Sequence, residues 1–360
     1  MKNNITSDRN RVDWVDIFKG ICIIAMVLGH AGAPFTTYIY MFHIPAFIFI
    51  SGYTFNGDQY SVFSYVKKKI KTLIIPFFSV NIIFIIIVGI TQHIGIYNYF
   101  FERETGSFRE QIFLLFQYLG TPEWGGATWF FPVLFIVEIF YMCFYRISKF
   151  LHKEFWAMGL GIICSFLGWA IVKQQIKIPF QMSNYLIDLG LLGLLFFVMG
   201  RATRVFEVFS KKIEPFTMIV FALIICIFFG GFYFKGLIPM NWPTRQFDSL
   251  PVHIITCLCS FYLCYKVSCC LGKNWLSEGL KYIGKKTFCI LVYHFAGFKV
   301  AYFILILLSI RPVEEMSHLV PMYSAAPIWL FVSIISIGVC LVLSKISEKF
   351  AIGNYIINGK

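Results

Sequence analysis

Apolar residues fall along this chain in runs about as long as a bilayer is thick, separated by short polar segments rich in Lys and Arg. A helix needs about 20 predominantly apolar residues to cross the hydrocarbon core. Windows of that kind lie near 15–33, 35–55, 73–93, 127–147, 155–173, 185–201, 215–234, 252–270, 286–308 and 326–345. In lipid every backbone N–H and C=O must be satisfied internally, so these windows predict helices. The expected fold is an all-α, polytopic integral membrane bundle of about ten transmembrane helices. It forms one membrane-embedded unit over residues 1–360, with short cytoplasmic tails at 1–13 and 346–360.

The cations give the bundle a direction. With the amino terminus in the cytoplasm, 22 of the 31 Lys and Arg residues fall on inside segments and 7 on outside ones, with Lys19 and Lys299 inside spans. Such an excess on one side is the positive-inside pattern and predicts both termini in the cytoplasm. The polar start, MKNNITSDRNRVDWVD, precedes a run too long for a signal-peptide core, so the first span is expected to be retained. The longest outside segment, 94–126, holds an amphipathic piece from Phe108 to Leu119 and then GTPEWGGATW, and is expected to lie on the outer surface or to cover a cavity.

Composition agrees with the pattern. The chain is 58% hydrophobic and only 14% charged, with a mean hydropathy of +0.74, against about 25% charged in soluble domains. The net charge of +13 is distributed between apolar runs and builds no soluble basic face, which excludes a nucleic-acid partner and points to membrane lipids. The eleven Cys residues sit mostly within spans (Cys257, Cys259, Cys264, Cys269 and Cys270 share one) and are expected to be packing residues, with no metal site.

Candidate chemistry concentrates in Asp13 to Phe55, two spans that carry Asp16, Lys19, His30 and His43. Ionisable side chains within a membrane are costly and are functional candidates by default. Lys19 and His30 are 11 positions apart, which places them on one helix face at an axial distance of about 16 Å. Asp16 is one turn before Lys19 and can pair with it. His43 enters from the far side at a depth like that of His30, so one imidazole can serve as a base and the other as its partner. Glu138 and Lys299 are expected to meet as an interhelical pair, and His294 to lie nearer the inner half.

Five segments resemble the membrane-bound acyltransferase 3 family. DIFKGICIIAMVLGH is similar to its first helix, in which a basic residue is followed after ten residues by His, and FHIPAFIFISGYTF is similar to its second. YVKKKIKTLIIPFF resembles its basic segment before a proline-containing third helix, TWFFPVLFIVEIFY its Trp-Phe helix, and IGKKTFCILVYHF its late Tyr-x-His-like segment. The resemblance covers about residues 13 to 300 and is nearest to sugar O-acetylases grouped with fucose 4-O-acetylase. One departure is Lys19, where the family carries Arg. Lys keeps the charge and loses the planar fork.

The resemblance implies an acetyl-CoA-dependent O-acetyltransferase of the bacterial cytoplasmic membrane. It would move an acetyl group from cytoplasmic acyl-CoA to a hydroxyl of a cell-surface glycan or its lipid-linked precursor. It casts His30 as general base or transient acyl carrier, with Lys19, Asp16 and His43 beside it. Lys67, Lys68, Lys69, Lys71 and His294 are then candidates for the donor, and Ser51, Trp129 and Glu138 for the acceptor. A polytopic transporter or flippase for a glycolipid or small solute is the competing reading, since such proteins also carry charges near the midplane.

Overall fold

The computed structural model of the chain describes residues 13–151, 154–176, 185–210, 216–217, 220–225, 241–321 and 327–358. Among these the backbone is helical apart from turns and one isolated antiparallel bridge, Asn241 to Gln246. The first helices are α1 (Asp13–His30), α2 (Thr36–Thr54), α3 (Val62–Lys69), α4 (Ile75–His93), α5 (Phe108–Tyr118), α6 (Phe130–Phe150), α7 (Phe155–Val172) and α8 (Ile187–Val205). Then follow α9 (Leu250–Cys270), α10 (Trp275–Lys285), α11 (Thr287–Leu307), α12 (Ile328–Ser347) and α13 (Ala351–Asn358). Most of the expected span 215–234, and the tail 1–12, lie outside the described residues.

Six runs are long and apolar enough to cross a membrane: Val62–His93, Phe108–Phe150, Phe155–Val172, Leu250–Cys270, Thr287–Leu307 and Ile328–Ser347. Their outer faces carry exposed Ile90, Phe140, Ile163, Phe166, Leu258, Phe303, Ile334 and Val342, a surface suited to lipid. The architecture is that of a polytopic membrane helical bundle. Helices α1, α2 and α8 fall outside this set because each breaks its apolar run with polar groups: Asp13, Asp16 and Lys19; Thr36, Thr37 and His43; and Asp188, Arg201 and Arg204. These three are wrapped by protein, with α1 packed on α2, α9, α10, α11 and α12. A helix surrounded by neighbours has no need of a lipid-facing stripe.

Two close crossings seat α1 and α2. At Gly52 of α2 a Cβ would collide with the Phe197 carbonyl of α8, and at Gly200 of α8 one would collide with the Phe49 carbonyl. At Gly20 of α1 a Cβ would meet the Leu280 carbonyl of α10, and at Gly284 the Asp16 carbonyl. Small residues allow backbone-to-backbone packing, the usual way apolar helices gain contact where lipid offers no hydrophobic drive. Helix α10 itself was not expected: 271–285 read as a connecting segment. It starts on a capping box between Asn274 and Ser277 and lies against α1. Likewise the expected tail 346–360 contains α13, which packs on α4, α11 and α12.

Prolines interrupt the helical hydrogen bonding at two points. Pro45 lies inside α2 and has no N–H for the carbonyl of Met41, which instead accepts from the Cys257 thiol at 3.2 Å. Pro76 lies in the first turn of α4, and the turn before it, Ile70–Ile74, widens into a π-helix. Pro76 has no N–H for the Thr72 carbonyl and its ring crowds it, so the chain relaxes into the wider register.

A buried ion cluster joins α2, α3 and α6. Glu138 is 1% exposed and accepts from the Ser51 and Tyr65 hydroxyls and from Lys69 Nζ at 2.6 Å. The expected pairing of Glu138 with Lys299 is therefore corrected. Lys299 donates instead to the carbonyls of Met316, Ser317 and His318 at 2.8, 3.1 and 2.6 Å. Three carbonyls of a single turn form a tripod that satisfies an ammonium without a carboxylate, while Glu138 already has its cation on α3.

Two stability tests follow from this packing. Gly200→Leu should lower the melting temperature in detergent, at about 1–3 kcal/mol for an overpacked crossing, whereas Gly159→Leu on α7, where a Cβ meets open space, should not. Glu138→Leu should destabilise by about 3–5 kcal/mol by leaving the Lys69 ammonium without its carboxylate, and adding Lys69→Met should recover most of the loss. Equal melting temperatures for the single and double variants would refute the pairing.

Candidate active site

Helix α1 carries one polar group near each end. At its start Lys19 Nζ sits 2.8 Å from Asp16, whose carboxylate is buried while the ammonium remains partly open. The spacing of three residues on a helix brings the two together. Asp13 pairs with Lys281 of α10 at 2.8 Å and, through that hydrogen bond, holds the Lys281 ammonium above the usual lysine range. The close approach at Gly20 and Gly284 lets these charges meet.

At its other end α1 stops on His30, and a turn through Gly32, with φ of +76°, leads into α2. Thr36 Oγ1 donates to the Ala33 carbonyl at 2.6 Å and fixes that turn. Tyr40, one turn into α2, lies with its hydroxyl 3.2 Å from His30 Nδ1 and 3.4 Å from the Gly29 carbonyl. The His30 ring packs against His294 and Phe295 of α11, with centroids 5.1 and 5.2 Å away. His294 was expected nearer the inner half; the packing of α11 instead sets its ring against His30, at the end of α1 away from Lys19.

The imidazoles share one hydrogen-bonding arrangement with different partners. His43 Nδ1 lies 2.8 Å from the Ile39 carbonyl, and His294 Nδ1 lies 3.0 Å from the Leu291 carbonyl. A carbonyl only accepts, so the hydrogen-bond pattern assigns the proton in each ring to Nδ1 and leaves Nε2 with a lone pair. For His30 the Tyr40 hydroxyl can accept from Nδ1–H while donating to Gly29. That chain would likewise leave Nε2 of His30 as a proton acceptor.

His30, Tyr40 and His43 line a cavity of about 310 Å³. Its walls are largely apolar and aromatic, with Phe47, Trp129, Phe130 and Phe295, and it is also lined by segments from three connections that include Glu123, Asn241 and Leu319. A mostly apolar pocket with a few convergent polar groups is the usual form of a small-molecule site. One of these connections is pinned by Arg245, which pairs with the buried Asp188 at 2.6 Å, and by Trp242, which is 1% exposed. Another is held by Glu123, whose carboxylate accepts from the backbone N–H groups of Glu102 and Arg103 at 3.2 and 3.1 Å.

Of the other candidates from the sequence, Trp129 lines the cavity, while Ser51 and Glu138 belong to the ion cluster and do not. Lys69 is held in that cluster. Lys68 bonds the Tyr60 hydroxyl at 2.8 Å and lies over its ring, and Lys67 and Lys71 are exposed. Sequence reasoning passed over Tyr40 and Phe295, which look like ordinary aromatic residues of a span and gain their role from touching His30. Among the described residues the cysteines are free, Cys226 lying outside them, and no group of three His, Cys, Asp or Glu side chains could hold a metal ion.

No curated protein and no solved structure matches the chain significantly. The family described as an acyltransferase domain matches residues 12–345, which takes in all the helices from α1 to within the last turn of α12 and every residue of the cavity. The chain therefore belongs to the acyltransferase 3 family and is a membrane acyltransferase.

Proposed function

We propose that this acyltransferase is an O-acetyltransferase of the bacterial cytoplasmic membrane, with both termini inside. In this reading it carries acetyl from cytoplasmic acetyl-CoA to a hydroxyl of a cell-surface or lipid-linked glycan. The observation that carries the reading is the placement of two kinds of polar group on one helix. Lys19 with Asp16 stands at one end of α1, and His30 lines a cavity at the other. About 16 Å of helix separates the two along the axis, a distance an extended pantetheine arm can follow. Exposed Lys67 and Lys71, with Lys68, supply cations for the nucleotide phosphates, and Lys69 contributes less because Glu138 holds it.

In the cavity His30 acts as general base. Its Nε2 takes the proton of the acceptor hydroxyl as that oxygen attacks the thioester carbonyl. The new C–O bond forms, the C–S bond breaks, and the leaving thiolate receives the proton back from the imidazolium. Tyr40 keeps Nδ1 protonated and the ring oriented, as a second group does for any catalytic imidazole. His43 and Trp129 line the same wall and would shape the acceptor subsite.

The test is transfer of labelled acetyl from acetyl-CoA by purified protein, with and without glycan acceptors. His30→Ala should lose about 10²–10⁴-fold in kcat, and full activity in that variant would remove His30 from the base role. Tyr40→Phe should lower kcat by roughly tenfold or more with little change in donor KM, since one positioning hydrogen bond is lost; unchanged kcat would show that the hydroxyl does not orient His30. Lys19→Ala should raise the KM for acetyl-CoA while Lys19→Arg keeps or improves it. Equal donor binding by the alanine variant and the parent would take Lys19 out of the donor site.

A further inference from the structure

Helix α5 runs down the side of α4 rather than across its end. Thr105, just before α5, accepts a hydrogen bond from the Gln92 side chain at 3.1 Å. The Phe108 ring fills the open side of Gly89, 3.6 Å from where a Cβ would stand. The Phe116 ring stacks on Phe78, with centroids 4.9 Å apart and planes 12° from parallel. Rising numbers on α5 thus meet falling numbers on α4, and the two helices are antiparallel. The stretch of α4 from Gln92 to Phe78 is about 21 Å long, against about 30 Å for the hydrocarbon core of a bilayer.

After Tyr118 the chain reverses. Leu119 is left-handed, with φ of +53°, and the Gly120 N–H donates to the Leu114 carbonyl at 3.1 Å. The irregular segment that follows comes back against α4, where the Trp124 ring meets Phe84 and Asn81 Nδ2 donates to Thr128 Oγ1 at 2.9 Å. Helix α6 then leaves from Phe130. The apolar run Phe108–Phe150 is therefore two helices broken at 119–129. Non-helical backbone at bilayer depth is tolerated where protein buries it or where it lines a cavity. This segment lines one, since Thr121, Glu123 and Trp129 belong to the wall of the cavity at His30.

The surface of α5 points to its surroundings. Only Gln111 and Leu115 of this helix are buried. Phe113 and Phe116 are 59% and 58% exposed, and Phe108, Leu114 and Tyr118 are exposed as well. The two charged residues, Arg109 and Glu110, are confined to the first turn; beyond them the polar side chains that reach the surface are Gln117 and Tyr118. On α4 the neighbours of Gly89, Ile86 and Ile90, are exposed too, so the apolar face of α5 continues the lipid-facing side of a spanning helix. An exposed apolar patch of this extent marks a membrane or protein partner, and its continuity with α4 selects the membrane. We propose that α5 is inserted in the bilayer as the first part of an interrupted span, with its exposed face covered by phospholipid acyl chains. One wall of the cavity at His30 thereby hangs from a helix seated in lipid. The proposal is independent of the donor and acceptor assigned above.

The test places the full-length protein in phosphatidylethanolamine and phosphatidylglycerol vesicles that hold one of two phospholipid probes, with a photoreactive diazirine either near the head group or at the end of an acyl chain. Labelled residues are mapped by peptide mass spectrometry after irradiation, and matched vesicles are treated with hydroxyl radicals generated in water. The ratio of chain-end to head-group labelling should rise at least about threefold from Phe108 to Phe116, as the helix descends. Phe113 and Phe116 should take the lipid probes about as well as Ile163 and Phe166 of α7, and should react with hydroxyl radicals about tenfold less than in unfolded protein. A constant ratio along α5 means a helix lying at the head groups and overturns the proposal. Radical labelling near the unfolded level, which means a face in water, does the same. So does absence of both lipid labels from 113–118 while Ile163 and Phe166 are labelled, the result expected if another protein copy covers this face.

Discussion

A charge removed from water must find a counter-charge or a set of hydrogen bonds, and in a bundle this apolar that requirement governs where helices can stand. Asp16 has Lys19, Glu138 has Lys69 with two hydroxyls, and Asp188 has Arg245. Lys299 rests on three carbonyls and Glu123 on two backbone N–H groups. Apart from the Asp16–Lys19 pair, which lies within α1, each of these ties one element to another or to a connection, so the polar groups act as fasteners between surfaces that would otherwise slide. The fasteners also explain why α1, α2 and α8 are less apolar than the helices around them. They stand where neighbours can satisfy their polar groups.

The imidazoles follow a different rule. His43 and His294 each donate Nδ1–H to a helical carbonyl one turn back, so their own helices orient the rings. His30, as the last residue of α1, is held by Tyr40 from the next helix rather than by its own. Its orientation therefore depends on how α1 and α2 are joined, which in turn depends on the turn at Gly32 and Thr36. Close crossings at Gly20 with Gly284 and Gly52 with Gly200 set the distance of these two helices from the rest. A polar end, a shaped cavity and a backbone seam thus belong to one construction.

Much of the fold was legible in the chain because apolar runs of bilayer length have few other uses. Helices lie within a few residues of the expected windows wherever both are described, and the family resemblance read from His30, Lys19 and the later segments is the family the chain belongs to. What was missed is instructive. Helix α10 was hidden because its amphipathic stretch is short and rich in Lys, and only its contact with α1 makes it structural. Glu138 and Lys299 read as partners because each was a lone charge at mid-span, and nothing in a linear pattern says which of several neighbours a helix face meets.

The sequence by itself determined the helical class, the position of most helices and the helix that carries Lys19 and His30, because hydropathy and helical spacing are local properties. Tertiary structure alone decided that His294 joins His30 and that Ser51 and Glu138 stand apart from the cavity. Those facts depend on how far and at what angle helices cross. Crossing is set by glycine contacts and ion pairs between residues distant in the chain, and local periodicity does not encode it.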